Sequence, residues 1–194
     1  IRKAKAEDPN RQIKVLNLFA YTGGATMAAA KAGAAVVHVD AAKGIVAQAK
    51  ENAQLCGLSE APIRYIVDDC KKFVEREIRR GNKYDGIIMD PPAYGRGPKG
   101  EKWVLEEGIA PLMEACSQLL DPQHGFLILN LYSMGFSSWV ADNLIKCYFP
   151  NAQEVENGDL SFVDRFSGTL IVTGTVSEVE ASMSAICDYC SCSC

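Results

Sequence analysis

Nowhere does an apolar run approach the roughly 20 residues that a membrane-spanning helix requires, and the N-terminus lacks the charged-then-apolar pattern of a secretory leader. A cytoplasmic protein without membrane contact is the expectation. Positive charge is not in excess either. With 20 Lys and Arg against 24 Asp and Glu the formal net charge is −4, which argues against coating nucleic acid by bulk electrostatics but leaves room for a local basic patch. Repeats, linkers and low-complexity segments are missing ahead of the C-terminal end. A chain of 194 residues, 48% hydrophobic, then suits one domain with a sizeable core. No histidine pair or second knuckle accompanies the crowded Cys187, Cys190, Cys192 and Cys194, so residues 177–194 are expected to be a tail and no metal centre is predicted. Cys56, Cys70, Cys116 and Cys147 stand singly in apolar segments, the pattern of reduced, buried cysteine. The chain opens on Ile1, and the polar stretch 1–12 is read as a lead-in, the remnant of a removed segment, ahead of a folded domain at 13–176.

What is present is alternation. Apolar runs at 14–19, 35–40, 63–67, 84–90 and 125–131 alternate with helical patterns at 24–32, 43–55, 71–80, 101–120 and 137–147, and Gly33, Gly57 and Gly81 serve as stop signals. Strands alternating with helices predict an α/β, Rossmann-like, mostly parallel sheet with helices on both faces. The last third differs, because the strand-like runs 153–160 and 169–176 are separated by a short loop and predict an antiparallel hairpin. Lys71, Lys72, Arg76, Arg79 and Arg80 read as the wet face of a helix.

The first strand runs into Asn17-Leu18-Phe19-Ala20-Tyr21-Thr22-Gly23-Gly24 and a helix follows. At such a junction glycine admits close backbone approach to a ligand, and the free N–H groups of the helix start can receive its polar groups. Asp40 closes the second strand, where a carboxylate accepts from both hydroxyls of a ribose. Glycine turn and acid together indicate a nucleoside cofactor. The spaced three-glycine fingerprint for a pyrophosphate is missing, which points away from nicotinamide dinucleotides and toward S-adenosyl-L-methionine. The third strand ends at Val67-Asp68-Asp69-Cys70. Asp69 can accept from an adenine amine beside the Cys70 backbone, or cap the helix that follows, and both roles are compatible. The fourth strand ends at Asp90-Pro91-Pro92-Ala93-Tyr94, where two prolines remove backbone donors and hold the chain extended. An acceptor-rich, rigid turn of this kind suits an amine substrate. Beyond it, Arg96, Lys99 and Lys102 with Trp103 combine charge and an aromatic ring in a glycine-rich stretch suited to phosphates and bases.

These motifs resemble the class I S-adenosylmethionine-dependent methyltransferases of the ribosomal RNA type, above all the bacterial group containing the large-subunit rRNA cytosine-C5 methyltransferases and their uncharacterised relatives. The likeness rests on residues 17–24, Val39-Asp40, Asp68-Asp69, Tyr84-Asp85 and Asp90-Pro91-Pro92, and covers about 14–131. It implies a seven-strand sheet ending in an antiparallel hairpin. It also implies that Phe19, Tyr21, Thr22 and Gly23 line the methionine side, with Asp40 on the ribose and Asp69 by the adenine. Asn17, Ala41 and Cys70 complete the expected contact set.

The chain departs from that group in one respect. Cytosine-C5 transfer needs a cysteine thiolate to activate the ring carbon, and neither the loop after the fourth strand nor that after the fifth carries a cysteine. Asp90-Pro91-Pro92-Ala93-Tyr94 instead resembles the Asp/Asn-Pro-Pro-aromatic motif of amine methyltransferases with one residue inserted. That likeness implies Asp90 and a proline carbonyl as acceptors for the target amine. Tyr94 is either a stacking ring or a core residue. The expectation is direct in-line methyl transfer to a base in RNA, ribosomal RNA foremost. The rivals are a small-molecule or protein acceptor on the same fold, a non-catalytic cofactor-binding module, and a nicotinamide oxidoreductase.

Overall fold

The computed structural model describes residues 1–131, 138–152, 154–163 and 170–180. The elements are α1 (Arg2–Glu7), β1 (Lys14–Leu18), α2 (Gly24–Lys31), β2 (Ala35–Asp40), α3 (Lys43–Leu55), β3 (Ile63–Val67), α4 (Cys70–Arg79) and β4 (Gly86–Met89). They continue with β5 (Tyr94–Arg96), β6 (Lys102–Val104), α5 (Leu105–Leu119), β7 (Phe126–Leu131), α6 (Ser138–Tyr148), β8 (Glu154–Val163) and β9 (Leu170–Glu180). Five strands run parallel in the order β3-β2-β1-β4-β7, and β8–β9 form the antiparallel hairpin, with β9 alongside β7. Among the described residues no helix is long and apolar enough to cross a membrane.

The sheet is covered on both faces because its strands are apolar on both. Along β1, Val15 belongs to a small cluster with Ala29, Ala30 and Val36, while Leu16 and Leu18 turn to the larger one with Phe73, Ile87, Met89, Leu112 and Leu127. Burying a side chain of this size stabilises the fold by about 1.5–3 kcal/mol, so the face carrying α4, α5 and α6 holds most of the core. The small alanine-rich face lets α2 lie close to β1 and β2. Its helix ends as expected: Gly33, like Gly57 and Gly81, sits in the left-handed region.

Two polar groups tie the outer elements to this core. Asp85, just ahead of β4, accepts from the Lys14 backbone N–H at 2.8 Å and pairs with Arg11 at 2.5 Å. That contact fixes the start of β1. Glu77 on α4 is buried and accepts from the Tyr84 hydroxyl at 2.8 Å and from Asn82 and Arg80. Burial alone drives its pKa upward, but those three donors outweigh it and hold the carboxyl below its usual range. Lys71, Lys72 and Arg79 are exposed along α4 as the charge pattern predicts, and Arg76 pairs with Asp68.

Several expectations are corrected. Residues 2–7 of the polar lead-in form a short helix. The predicted helix 101–120 begins at Leu105, since Lys102–Val104 pairs antiparallel with Tyr94–Arg96 as a small separate ribbon. No side chain caps the helix at Val104, so the sequence carries no start signal there. The second hairpin strand extends to Glu180, into the stretch read as a tail. Cys70 and Cys116 are buried, but Cys56 and Cys147 are exposed. The four C-terminal cysteines and the loop after β7 lie outside the described residues.

Candidate cofactor and acceptor site

The strand order reverses between β1 and β4: β2 and β3 lie to one side of β1, β4 and β7 to the other. Open α/β sheets bind ligands outside the carboxyl ends at such a point. Here a cavity of about 370 Å³ opens at that place, within the size range of small-molecule sites. Its walls come from Phe19 and Tyr21 after β1, Asp40, Ala41, Ala42 and Ile45 after β2, Asp69 and Cys70 after β3, and Asp90 and Pro92 after β4. The β5–β6 ribbon closes one side with Gly95, Arg96 and Trp103, and Gly97 adjoins it.

The loop after β1 is held in a shape that residues other than glycine seldom adopt. Phe19 and Tyr21 have φ of 53° and 47°, and Gly23, which precedes α2, has φ of 88°. Each non-glycine residue of this kind costs about 1–3 kcal/mol and persists only where its surroundings fix it. The fixing contacts are present. Ala20 N–H donates to the Val39 carbonyl at 3.1 Å, Phe19 N–H to Cys70 Sγ at 3.3 Å, and Tyr21 N–H to Asp40 Oδ2 at 2.9 Å. Asn52 reaches over from α3 to the Thr22 carbonyl at 3.1 Å. The conformation at Gly23 calls for glycine, and the space is tight as well, since a side-chain carbon would stand 3.2 Å from Ala49.

Asp40 anchors two loops at once, since its Oδ1 accepts from Ala42 N–H at 3.0 Å. A carboxylate oxygen has two lone-pair sites, so each Asp40 oxygen keeps one beyond these bonds. Asp69 Oδ1 accepts from Lys72 N–H at 2.9 Å as the N-cap of α4, while the residue also lines the cavity. The capping role and the cavity position coexist. Asp68 pairs with Arg76 and is not among the lining residues.

Asp90 is half-buried, and its Oδ1 accepts from Asn130 Nδ2 at 2.8 Å. Burial pushes its pKa above the usual carboxylate value, and the Asn130 hydrogen bond offsets part of that rise. The turn after it is clamped from the ribbon: Trp103 Nε1–H donates to the Pro92 carbonyl at 2.7 Å, and Leu105 N–H to the Ala93 carbonyl at 2.9 Å. The Trp103 ring packs on Phe19 at 4.9 Å between centroids. Gly108 makes this possible, because a side-chain carbon there would come within 2.6 Å of the indole.

Several expected residues stand elsewhere. Asn17 is buried and donates to Thr26 Oγ1 at 2.8 Å, which lies 2.9 Å from His38 Nδ1. This triad ties α2 to β1 and β2 instead of lining the cavity. Burial lowers the His38 pKa to about 4, against the attraction of Asp40. Thr22 and Gly23 shape the loop without lining the cavity. Trp103 is buried, with its ring against Phe19 and its Nε1–H on the Pro92 carbonyl, and so anchors the ribbon. Tyr94 is 72% exposed on the ribbon and is neither a core residue nor a wall of the cavity. Lys99 and Lys102 are exposed outside it. Ile45 and Asn130 were not foreseen. Asn130 follows the β7 residue paired with Met89, so its neighbour Asp90 becomes apparent only once β4 and β7 are adjacent.

Residues 2–166 match the model of the S-adenosylmethionine-dependent methyltransferases. A solved structure of an S-adenosylmethionine-dependent methyltransferase from Agrobacterium tumefaciens is similar at a TM-score of 0.85 and 39% identity, covering 93% of this chain and 60% of that one. The ribosomal RNA large subunit methyltransferase K/L of Shewanella frigidimarina is 35% identical over 118 residues, 60% of this chain and 16% of that protein. The ribosomal RNA large subunit methyltransferase I of Aeromonas salmonicida is 33% identical over 123 residues, 56% of this chain and 31% of that protein. The chain thus spans less than a third of the length of these two curated relatives.

Proposed function

The chain belongs to the S-adenosylmethionine-dependent methyltransferase family, and from that premise we propose that it methylates a base in RNA, ribosomal RNA foremost, by direct in-line transfer to an amine nitrogen. The observation that carries the acceptor chemistry is Asp90. It is a half-buried carboxylate at the cavity wall, with one oxygen held by Asn130 and the other without a hydrogen-bond donor among the described residues. The RNA reading is supported by the relatives named as rRNA large subunit methyltransferases. A cytoplasmic location accords with it. The pairing of β9 along β7 favours reading the sheet as seven-stranded, with 13–176 as the bulk of the catalytic domain.

The cavity fits S-adenosylmethionine: a carboxylate with spare lone pairs, an apolar wall of Phe19, Ala42 and Ile45, and the start of α4 beside Asp69 and Cys70. When bound, the cofactor supplies an electrophilic methyl group. Asp40 would accept from ribose hydroxyls, and the Ala41 backbone lies beside it. Asp69 and the Cys70 backbone would meet the adenine edge, and Phe19 and Tyr21 the methionine side. Asp90 would accept a hydrogen from the target amine, keeping the nitrogen lone pair directed at the methyl carbon. The Pro92 carbonyl accepts from Trp103, and with its second lone pair it would be the second acceptor of this turn, Pro92 being the proline that lines the cavity.

Neither buried cysteine suits nucleophilic attack, and no cysteine is among the lining residues except Cys70. Burial pushes the Cys70 thiol far up, and Cys116 up to about 12, whereas a nucleophilic cysteine needs a depressed pKa. Cys70→Ser keeps an acceptor for Phe19 N–H and should retain turnover within a few-fold. A loss exceeding about a hundredfold with the fold and cofactor affinity intact would point to thiolate chemistry.

The pH profile tests Asp90 through its neighbour. The ionised carboxylate is the stronger acceptor, so the acid limb of kcat should lie above the ordinary carboxylate range. Asn130→Leu removes the donor that holds this pKa down and should move the limb to higher pH. A limb that stays in place would separate Asp90 from the rate. For the function as a whole, rRNA nucleosides from cells with and without the gene should differ by one methylated base in mass spectrometry. Identical profiles would count against RNA as acceptor.

A further inference from the structure

The β5–β6 ribbon has two unlike faces. In its register Tyr94 opposes Val104, Gly95 opposes Trp103, and Arg96 opposes Lys102. Opposed residues share a face and successive residues alternate, so Gly95 and Trp103 form the inner face against the cavity. Tyr94, Arg96 and Lys102 share the outer face, all exposed, with Tyr94 72% accessible.

That outer face is unfavourable by itself. Like charges directly opposite on paired strands destabilise the pair, and neither Arg96 nor Lys102 has an ion-pair partner among the described residues. The neighbouring acid does not relieve them, because Glu101 is engaged by Lys72 at 2.5 Å and by Lys99 N–H at 2.8 Å. Those contacts hold its carboxyl down to about 2. A charged ribbon edge can serve to block strand addition, but that role needs no exposed aromatic ring two residues along the same face. Arg96 also borders the cavity, so the face is continuous with its mouth.

We infer that the outer face of this ribbon receives a single-stranded stretch of RNA beside the target base. Arg96 and Lys102 together take a backbone phosphate, and Tyr94 stacks on the flanking base rather than on the one being methylated. Stacking of this kind requires an unpaired base and tolerates any sequence. The inference rests on RNA being the substrate, and it divides the work of the ribbon between its faces. Trp103 on the inner face clamps the Asp90 turn while the outer face holds the strand.

The test is fluorescence anisotropy of the full chain with a labelled single-stranded RNA of mixed sequence, and with the same sequence as a duplex, over a range of salt. The chain should prefer the single strand. Tyr94→Leu should weaken binding about tenfold, whereas Tyr94→Phe should hold it within about twofold. Lys102→Gln should weaken binding and reduce the slope of log affinity against log salt by about 0.7. Calorimetric affinity for S-adenosylmethionine should not change in any of the three variants. RNA binding and methylation undisturbed by these changes, or equal affinity for the duplex, would overturn the assignment of the ribbon and leave the RNA reading standing. A wild-type chain that ignores RNA yet methylates a protein or a small amine would remove both.

Discussion

Replacing Asp40 with alanine should weaken S-adenosylmethionine binding at least tenfold. Its two oxygens already accept from Tyr21 N–H and Ala42 N–H, and the lone pairs that remain are those proposed for the ribose. Hydrogen bonds to a charged group contribute about 1.5–3 kcal/mol, and about 1.4 kcal/mol is one decade in affinity. The loops on either side lose an anchor as well, but both N–H groups border an open cavity and can bind water instead. The melting temperature should therefore change less than the affinity. Asp40→Asn, which keeps one acceptor oxygen, should fall between. Titration calorimetry decides the matter, and unchanged affinity in Asp40→Ala would place the ribose elsewhere.

Asp90→Ala should act on rate instead of affinity. The carboxylate lines the cavity and is proposed to hold the target amine, so turnover should fall by about a hundredfold or more, the scale of lost substrate positioning, while cofactor affinity stays within about twofold. Stability moves the other way. Because burial raises the Asp90 pKa in the folded chain, its contribution is most favourable at low pH and is lost as pH rises through the folded value. At neutral pH the ionised group is a cost. Asp90→Asn removes the charge but keeps an acceptor oxygen, so it should leave the melting temperature unchanged or higher and retain more turnover than Asp90→Ala. Equal losses in stability and rate would mark Asp90 as a structural residue.

The parts of this site that the sequence made legible are those fixed by local pattern. β2, α3 and β3 lie at residues 35–40, 43–55 and 63–67 as predicted, because apolar runs bounded by glycine and acid leave little freedom in register. Asp40, Asp69 and Asp90 stand at or just after the carboxyl ends of parallel strands, the edge where open sheets bind ligands, so their place at the cavity was legible, whereas Asp68, nearer the end of β3, turns to Arg76. What escaped depends on contacts distant in sequence. Lys102–Val104 is a strand only because Tyr94–Arg96 lies beside it, and Trp103 is inward-facing only because Pro92 offers a carbonyl and Gly108 leaves room. Asn17 has the opposite history. β1 is buried on both faces, so its alternation could not reveal that this residue points to Thr26 and His38. Tyr94 is one residue displaced from the aromatic position of the motif it resembles, and that displacement carries it onto the ribbon.

The most direct measurement is to incubate the chain with S-adenosylmethionine carrying a labelled methyl group and unmodified ribosomal RNA, then to identify the labelled nucleoside. A parallel reaction uses RNA containing 5-fluorocytosine. Label is expected on an exocyclic amine of one base, with release of S-adenosylhomocysteine in equal amount and no covalent complex with the fluorinated RNA. Label at carbon 5 of cytosine, together with a trapped complex that one cysteine-to-serine change abolishes, would contradict direct transfer to an amine.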